Sequence, residues 1–110
     1  MDYALCDQTV TVYRKGAGSV CRQVIENAFF ALEEGCTGEN APVRNFLLIV
    51  PGPEVKLFPG DRVLEGIGPV EVDWEAFLPI HIPGLVEVGR TRHYRLGGEI
   101  CHVEAEHRWN

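Results

Sequence analysis

The stretch Ser19 to Gly35, "SVCRQVIENAFFALEEG", decides the fold, because it reads two ways. As a helix it sets Val20, Val24, Ala28 and Leu32 four apart, with Ile25 and Phe29 beside them and Gly35 placed as a C-cap. As a strand it puts Val20, Val24, Ala28, Phe30 and Leu32 on one face, and Arg22 and Glu26 spoil that face. The local pattern alone favours the helix.

Its neighbours read as strands. In "QTVTVYRKGAG", Gln8 to Gly18, Thr9, Thr11 and Tyr13 alternate with Val10 and Val12, and Lys15 to Gly18 follows as a turn. Cys36 to Asn45, "CTGENAPVRN", is a loop by composition. "FLLIVPG", Phe46 to Gly52, is an apolar run closed by Pro51-Gly52, which predicts a buried strand. Short strands are predicted over Glu54 to Phe58 and Asp61 to Gly66, with the Pro59-Gly60 turn between them. "WEAFLP", Trp74 to Pro79, predicts one helical turn with Asp73 as N-cap, so a short turn near Asp73-Leu78. Leu85 to Val88 and Thr91 to Leu96 alternate, and Gly97-Gly98 is a two-residue hairpin signal leading into Ile100 and Val103. Twelve glycines and seven prolines supply the turns this pattern needs. The sum is a mainly β chain, a small β-barrel of six or seven antiparallel strands.

At 110 residues and 45% hydrophobic content, residues 1–110 are expected to form a single domain. Ten basic against sixteen acidic residues give a net charge of −6, which argues against a nucleic-acid surface, and no direct sequence-specific nucleic-acid binding is expected. The opening "MDYALCDQTV" has an acid at position 2 and no apolar run, so no secretory signal is expected. No window approaches the roughly 18 apolar residues of a membrane span. Cys6, Cys21, Cys36 and Cys101 accompany His81, His93, His102 and His107, but no CxxC or HxxxH pair appears. No metal and no cofactor are expected, and the cysteines read as reduced thiols.

Motifs with chemistry fail one at a time. Gly66-Ile67-Gly68 lacks a third glycine and a following helix, and no Gly-Lys-Ser or Gly-Lys-Thr ends it, so it reads as a barrel corner. Ser19 is the one serine, in a predicted turn. Cys101 and His102 are neighbours on a strand and face opposite ways, which puts Cys101 in the core and His102 on the surface. Glu99, Glu104 and Glu106 surround His102 and His107 as acid–base candidates, with a solvated end strand as the plainer reading. Arg14-Lys15 and Arg90, Arg92 and Arg95 form small basic clusters able to meet phosphate or an acidic partner, or only to keep the surface soluble. No catalytic residue is assigned.

Three phrases share an order: "CDQTVTVYRK" at the start, "LFPGDRVLEGIGP" in the middle and "LGGEICHVEA" near the end. Together they resemble small prophage proteins from the head–tail assembly region of tailed phages of Gram-positive bacteria. More distantly the chain is similar to the head-closure, or head–tail joining, proteins of siphophages. The shared parts are a strand at Val10 to Lys15, a strand at Phe46 to Val50 before the turn at Pro59 to Val63, and a hairpin at Leu96 to Val103. The resemblance implies a small β-barrel that joins a ring between capsid and tail, and it implies that Ser19 to Leu32 is a strand. The strand reading is adopted, since tertiary pairing overrides helix propensity. The segment Gly66 to Gly84 is longer than that family would have it.

The function expected is a non-enzymatic phage virion structural or assembly protein, a head–tail connector or minor capsid or tail component. Its partners would be copies of itself and other phage structural proteins, in the bacterial host cytoplasm during assembly and then in the virion. Trp74, Phe77, Leu78 and Ile80 must either cap the core or meet a partner, and they are the expected docking surface because aromatic anchors dominate many interfaces. The alternative is a cytoplasmic small-molecule-binding β-barrel or enzyme, with His81, His93 or His102 in its pocket.

Overall fold

The computed structural model describes residues 3–36 and 42–107, the side chains of 34–36 and 42–44 excepted. Seven strands run in chain order: β1 (Gln8–Lys15), β2 (Val20–Cys36), β3 (Pro42–Pro51), β4 (Arg62–Glu65), β5 (Val86–Glu87), β6 (Arg90–Leu96) and β7 (Glu99–His107). They form one curled antiparallel sheet in the order β5-β4-β1-β2-β3-β7-β6. The barrel expected from sequence is therefore a half-barrel, mainly β. No helix forms among the described residues.

Two devices curl the sheet. The first is β2, whose 17 residues serve two neighbours in turn. Its first half pairs with β1, from Lys15↔Val20 to Gln8↔Ala28, and its second half pairs with β3, from Phe29↔Ile49 to Cys36↔Pro42. A bulge marks the change: Val10 faces Ile25 and Gln8 faces Ala28, which leaves one more residue on β2 than on β1. The second device is the passage from β5 into β6. Val88 donates to the Asp61 carbonyl at 2.8 Å on one side, and Gly89 donates to the Glu106 carbonyl at 3.0 Å on the other. The two ends of the sheet order are thus joined head to tail along the chain.

The bulge explains the double reading of Ser19 to Gly35. Before it, Val20 and Val24 share the outer face with Lys15 and Thr11 of β1. After it, Ala28, Phe30 and Leu32 turn inward against Phe46 and Leu48. A strand that changes face mid-way spaces its apolar residues as a helix would. The strand reading holds.

The concave side is filled by Val10, Val12, Ile25, Ala28, Phe30, Phe46, Leu48, Val50, Leu57, Val63, Val86, Val88, Val103 and Ala105. Leu57 and Val55 join this core from irregular chain, so the predicted strand over Glu54 to Phe58 is instead a coil packed on the sheet. The predicted loop at Cys36 to Asn45 is also shorter than expected: Cys36 and Pro42 to Asn45 lie in strands, and 37–41 fall outside the described residues.

β1 is buried on both faces. Val10 and Val12 enter the main core, while Thr11 and Tyr13 are both 0% exposed on the other side. The chain between β4 and β5 covers that outer side. It packs Phe77 and Leu85 on Tyr13, with Val20, Leu64, Val72, Trp74 and Ile82 around them, as a second and smaller core. Each face of β1 thus removes apolar surface from water, at about 25 cal/mol per Å².

Candidate functional site

The segment Gly66 to Gly84 is the largest departure from regular structure, and polar clamps from the sheet hold it. Thr11 Oγ1 donates to the Gly66 carbonyl at 2.8 Å and accepts the Gly68 N–H at 2.9 Å. Tyr13 Oη donates to the Pro69 carbonyl at 2.7 Å. Arg22 adds bonds to the same carbonyl at 3.0 Å and to Gly68 O at 2.7 Å. The Gly66 N–H is taken by Thr9 O at 2.7 Å. With both glycine amides occupied by β1, Gly66-Ile67-Gly68 is a barrel corner rather than a phosphate cradle. Gly68 also permits close approach, since a side chain there would collide with Tyr13 Oη.

Further along, Asp73 starts one turn. Its carbonyl accepts from Ala76 at 3.0 Å and Phe77 at 2.8 Å, and its Oδ1 accepts from the Glu75 N–H at 3.3 Å. The turn does not propagate into a helix. Arg62 of β4 fastens it. The guanidinium Nη1 donates to Trp74 O and Phe77 O, each at 2.6 Å, and Cζ lies 3.7 Å from the Trp74 ring centroid. Among the described residues its acidic partner in an ion pair is Glu87, with Oε1 3.7 Å from Nε.

The four residues expected to dock therefore divide. Phe77 is buried and meets Tyr13 edge-on, with ring centroids 4.7 Å apart. Trp74 is half-buried between Arg62 and the second core. Leu78 is half-buried, and Ile80 is 77% exposed. Ile67 at 74% and Val70 at 76% stand out from the same segment.

A second cluster lies on the outer face of β7, and it corrects the sequence reading. His102 is 1% exposed, not on the surface, and Cys101 is only half-buried, not core. The pairing skips Cys101: Tyr94 faces His102 and Arg95 faces Ile100. This bulge restores the alternation that turns Val103 and Ala105 inward and His102 outward. What buries His102 is a cover from elsewhere. The Tyr94 ring stacks on it at 4.5 Å and 16°, and Tyr3 meets it edge-on at 5.5 Å and 74°. Both ring nitrogens are engaged. Nε2 lies 3.0 Å from Glu104 Oε2, and Nδ1 lies 2.8 Å from Tyr3 Oη. A carboxylate only accepts, so Nε2 donates to Glu104, and Nδ1 shares a hydrogen bond with the phenol. Burial, then the neighbouring Cys101 and Cys6 thiols, push the Tyr3 phenol above its ordinary range. Burial first, then Asp7, raises the Cys6 thiol.

The basic clusters are partly occupied as well. Arg14 grips Asp61 through Nε to Oδ1 and Nη2 to Oδ2, both at 2.8 Å, and lies over the Phe58 ring. Those bonds to Asp61 raise the Arg14 pKa further. Asp61, 1% exposed, also accepts the Phe58 N–H at 3.0 Å and so locks the Pro59-Gly60 turn. Arg90 pairs with Glu106, and Arg92 donates to Tyr94 Oη at 3.1 Å. Lys15, His81, His93, Arg95 and Glu99 are exposed, as is Ser19. Among the described residues no group of three or more His, Cys, Asp or Glu is placed to hold a metal ion.

Sequence reasoning missed Arg62, Asp61 and the Tyr3–His102 contact. The first two sit in the quoted "PGDRV", where a charged pair entering a strand signalled a turn and nothing more. The third joins residues 99 positions apart, which no local pattern reports.

Comparison with known proteins leaves this geometry to stand alone: no family model matches the chain, and no curated protein or solved structure matches it significantly.

Proposed function

We propose that this chain is a non-enzymatic virion assembly protein of a phage or prophage, a head–tail connector or minor structural component. It works by self-association and by docking to neighbouring phage structural proteins, first in the host cytoplasm and then in the virion. The observation that carries the reading is the Gly66 to Gly84 segment. It is clamped to the sheet by Thr11, Tyr13, Arg22 and Arg62, yet presents Ile67, Val70 and Ile80 about three-quarters exposed. A rigid mount with apolar residues facing water suits an interface. The phrases behind the phage resemblance support it further, since they coincide with β1, the Pro59-Gly60 turn into β4, and the β6–β7 hairpin.

The test is fractionation of particles released by induction of a host carrying the gene. The chain is expected to co-sediment with particles at a fixed ratio to the major capsid protein. Its deletion is expected to leave unjoined heads and tails. A chain found wholly in the soluble fraction, with normal particles formed in its absence, refutes the role.

One observation favours the other reading, a cytoplasmic small-molecule-binding barrel or enzyme with a histidine-containing pocket. Tyr3, His102 and Glu104 have the relative placement of nucleophile, base and orienting acid. Against it, His102 is 1% exposed and both its nitrogens are occupied within the chain. The same fractionation separates the two.

A further inference from the structure

We propose that copies of this chain meet head to tail, with the β6–β7 hairpin tip of one seated on the Val70–Ile80 stretch of the next. The inference rests on the assembly role above and names the surfaces that would carry it.

Each surface has an apolar residue in water with charge of one dominant sign around it, and the signs are opposite. The hairpin tip presents Leu96, 78% exposed, beside exposed His93 and Arg95, with Arg92 on the same strand. Glu99, across from Leu96, is the acid nearest the turn. Around the tip, Arg92 and Arg95 stand against the single acid Glu99, although the chain as a whole carries −6. The other surface presents Val70 and Ile80, 76% and 77% exposed, with Glu71, Asp73 and Glu75 exposed between them. No lysine or arginine occurs between Arg62 and Arg90, so this stretch is uniformly acidic.

The two surfaces do not satisfy each other within one chain. The acidic stretch packs over β1 and β4. His93, Arg95, Glu71, Asp73 and Glu75 take part in no ion pair among the described residues. β6 is also the last strand in the order, with its outer edge free of backbone partners among the described residues. Two different complementary surfaces on one molecule make a heterologous contact, which closes into a ring where the rotation permits and otherwise extends as a filament. Opposite charge speeds encounter and fixes register, and the apolar tips supply affinity.

The experiment uses the full chain with paired substitutions to opposite charge at exposed residues whose side chains make no ion pair among the described residues. The variants are His93→Glu with Arg95→Glu, Glu71→Lys with Glu75→Lys, and all four together. Sedimentation velocity across a concentration series reads self-association, and the thermal midpoint checks that each variant is folded. Each double variant is expected to weaken association about tenfold, and the quadruple variant to recover to within about threefold of the parent. Leu96→Asp serves if a charge variant fails to fold, and it should weaken association with no change in midpoint. The inference is overturned, with the assembly role intact, if the doubles associate as the parent does, if the quadruple shows no recovery, or if the parent is monomeric but enters particles. A parent absent from particles removes the assembly role and the inference together.

Discussion

Replacing Arg62 by methionine asks whether one buried cation holds the Gly66 to Gly84 segment on the sheet. Methionine keeps most of the side-chain length and the apolar stem, so packing against the second core survives. What is lost is specific. Two bonds from Nη1 to Trp74 O and Phe77 O disappear, and the stack on the Trp74 ring goes with them. Hydrogen bonds with a charged partner contribute about 1.5–3 kcal/mol each. The cation–π contact adds about 1–2 kcal/mol where it is shielded from water. Against these stands the cost of burying a guanidinium whose side chain is 8% exposed and whose acidic partner, Glu87, is 3.7 Å away and 44% exposed. Removing that charge returns several kcal/mol. The net expectation is a loss of about 2–3 kcal/mol. With a urea slope of roughly 1–1.5 kcal/mol/M for a chain of this size, the midpoint should fall by about 2 M. Trp74 emission, read in a Trp109→Phe background, should shift to the red as its ring loses the Arg62 cover. An unchanged Trp74 spectrum with a midpoint within about 0.3 M of the parent would falsify the staple.

Two further outcomes follow from single contacts. Valine at both Gly97 and Gly98 should destabilise the chain by more than about 1 kcal/mol, because both residues hold positive φ, 62° and 86°, in the turn that pairs Leu96 with Glu99. No atom lies within 4 Å of a Cβ placed at either glycine, so the penalty is backbone alone, and a denaturation midpoint equal to the parent's contradicts it. Tyr3→Phe should speed hydrogen exchange at the Cys6 amide, which donates to the Tyr3 carbonyl at 2.9 Å, because it breaks the bond to His102 that ties the turn down. The phenol's pKa is raised on folding, so its stabilisation is complete below the ordinary value of 10.0 and is lost as pH rises through the raised one. The stability gap between parent and Tyr3→Phe should therefore close in alkali, and a gap constant past that range rules the coupling out.

Much of the fold was legible in the sequence because the chain obeys local rules where one element decides its own structure. Alternation gave β1, the Pro59-Gly60 turn gave the entry to β4, and Gly97-Gly98 gave the closing hairpin but not the bulge that skips Cys101. Legibility failed where a second element intervenes. β2 looked helical because the bulge opposite Gln8 and Val10 moves its apolar residues from one face to the other. Thr11 and Tyr13 alternate with Val10 and Val12 in the sequence, and both faces are fully buried, because a segment more than 50 residues later covers Thr11 and Tyr13 and uses their hydroxyls. His102 read as a surface residue for the same reason, since its cover arrives from Tyr3 and from Tyr94.

The candidate site was half legible in a more instructive way. The aromatic and apolar run from Trp74 to Ile80 drew attention as a docking surface, and the structure sorts it by reach. Residues that can touch β1 or β4 are drawn down, Phe77 onto Tyr13 and Trp74 under Arg62. Ile80, with Ile67 and Val70, stays in water. Many polar side chains are occupied by the fold. Asp61 holds Arg14, Arg62 holds two carbonyls, Thr11 and Tyr13 hold the corner, and Glu104 holds His102. Exposed apolar residues remain, among them Leu96 at the hairpin tip beside Arg95, and Val70 and Ile80 beside Glu71, Asp73 and Glu75. Residues of that kind recognise a surface, and this supports assembly over catalysis as the proposed role. If the reading is right, Ile80→Ser should leave the midpoint within about 0.5 kcal/mol of the parent, as for an exposed position, while particle incorporation is lost. Normal incorporation of a folded Ile80→Ser chain would mean that the apolar crest of this segment is not the contact.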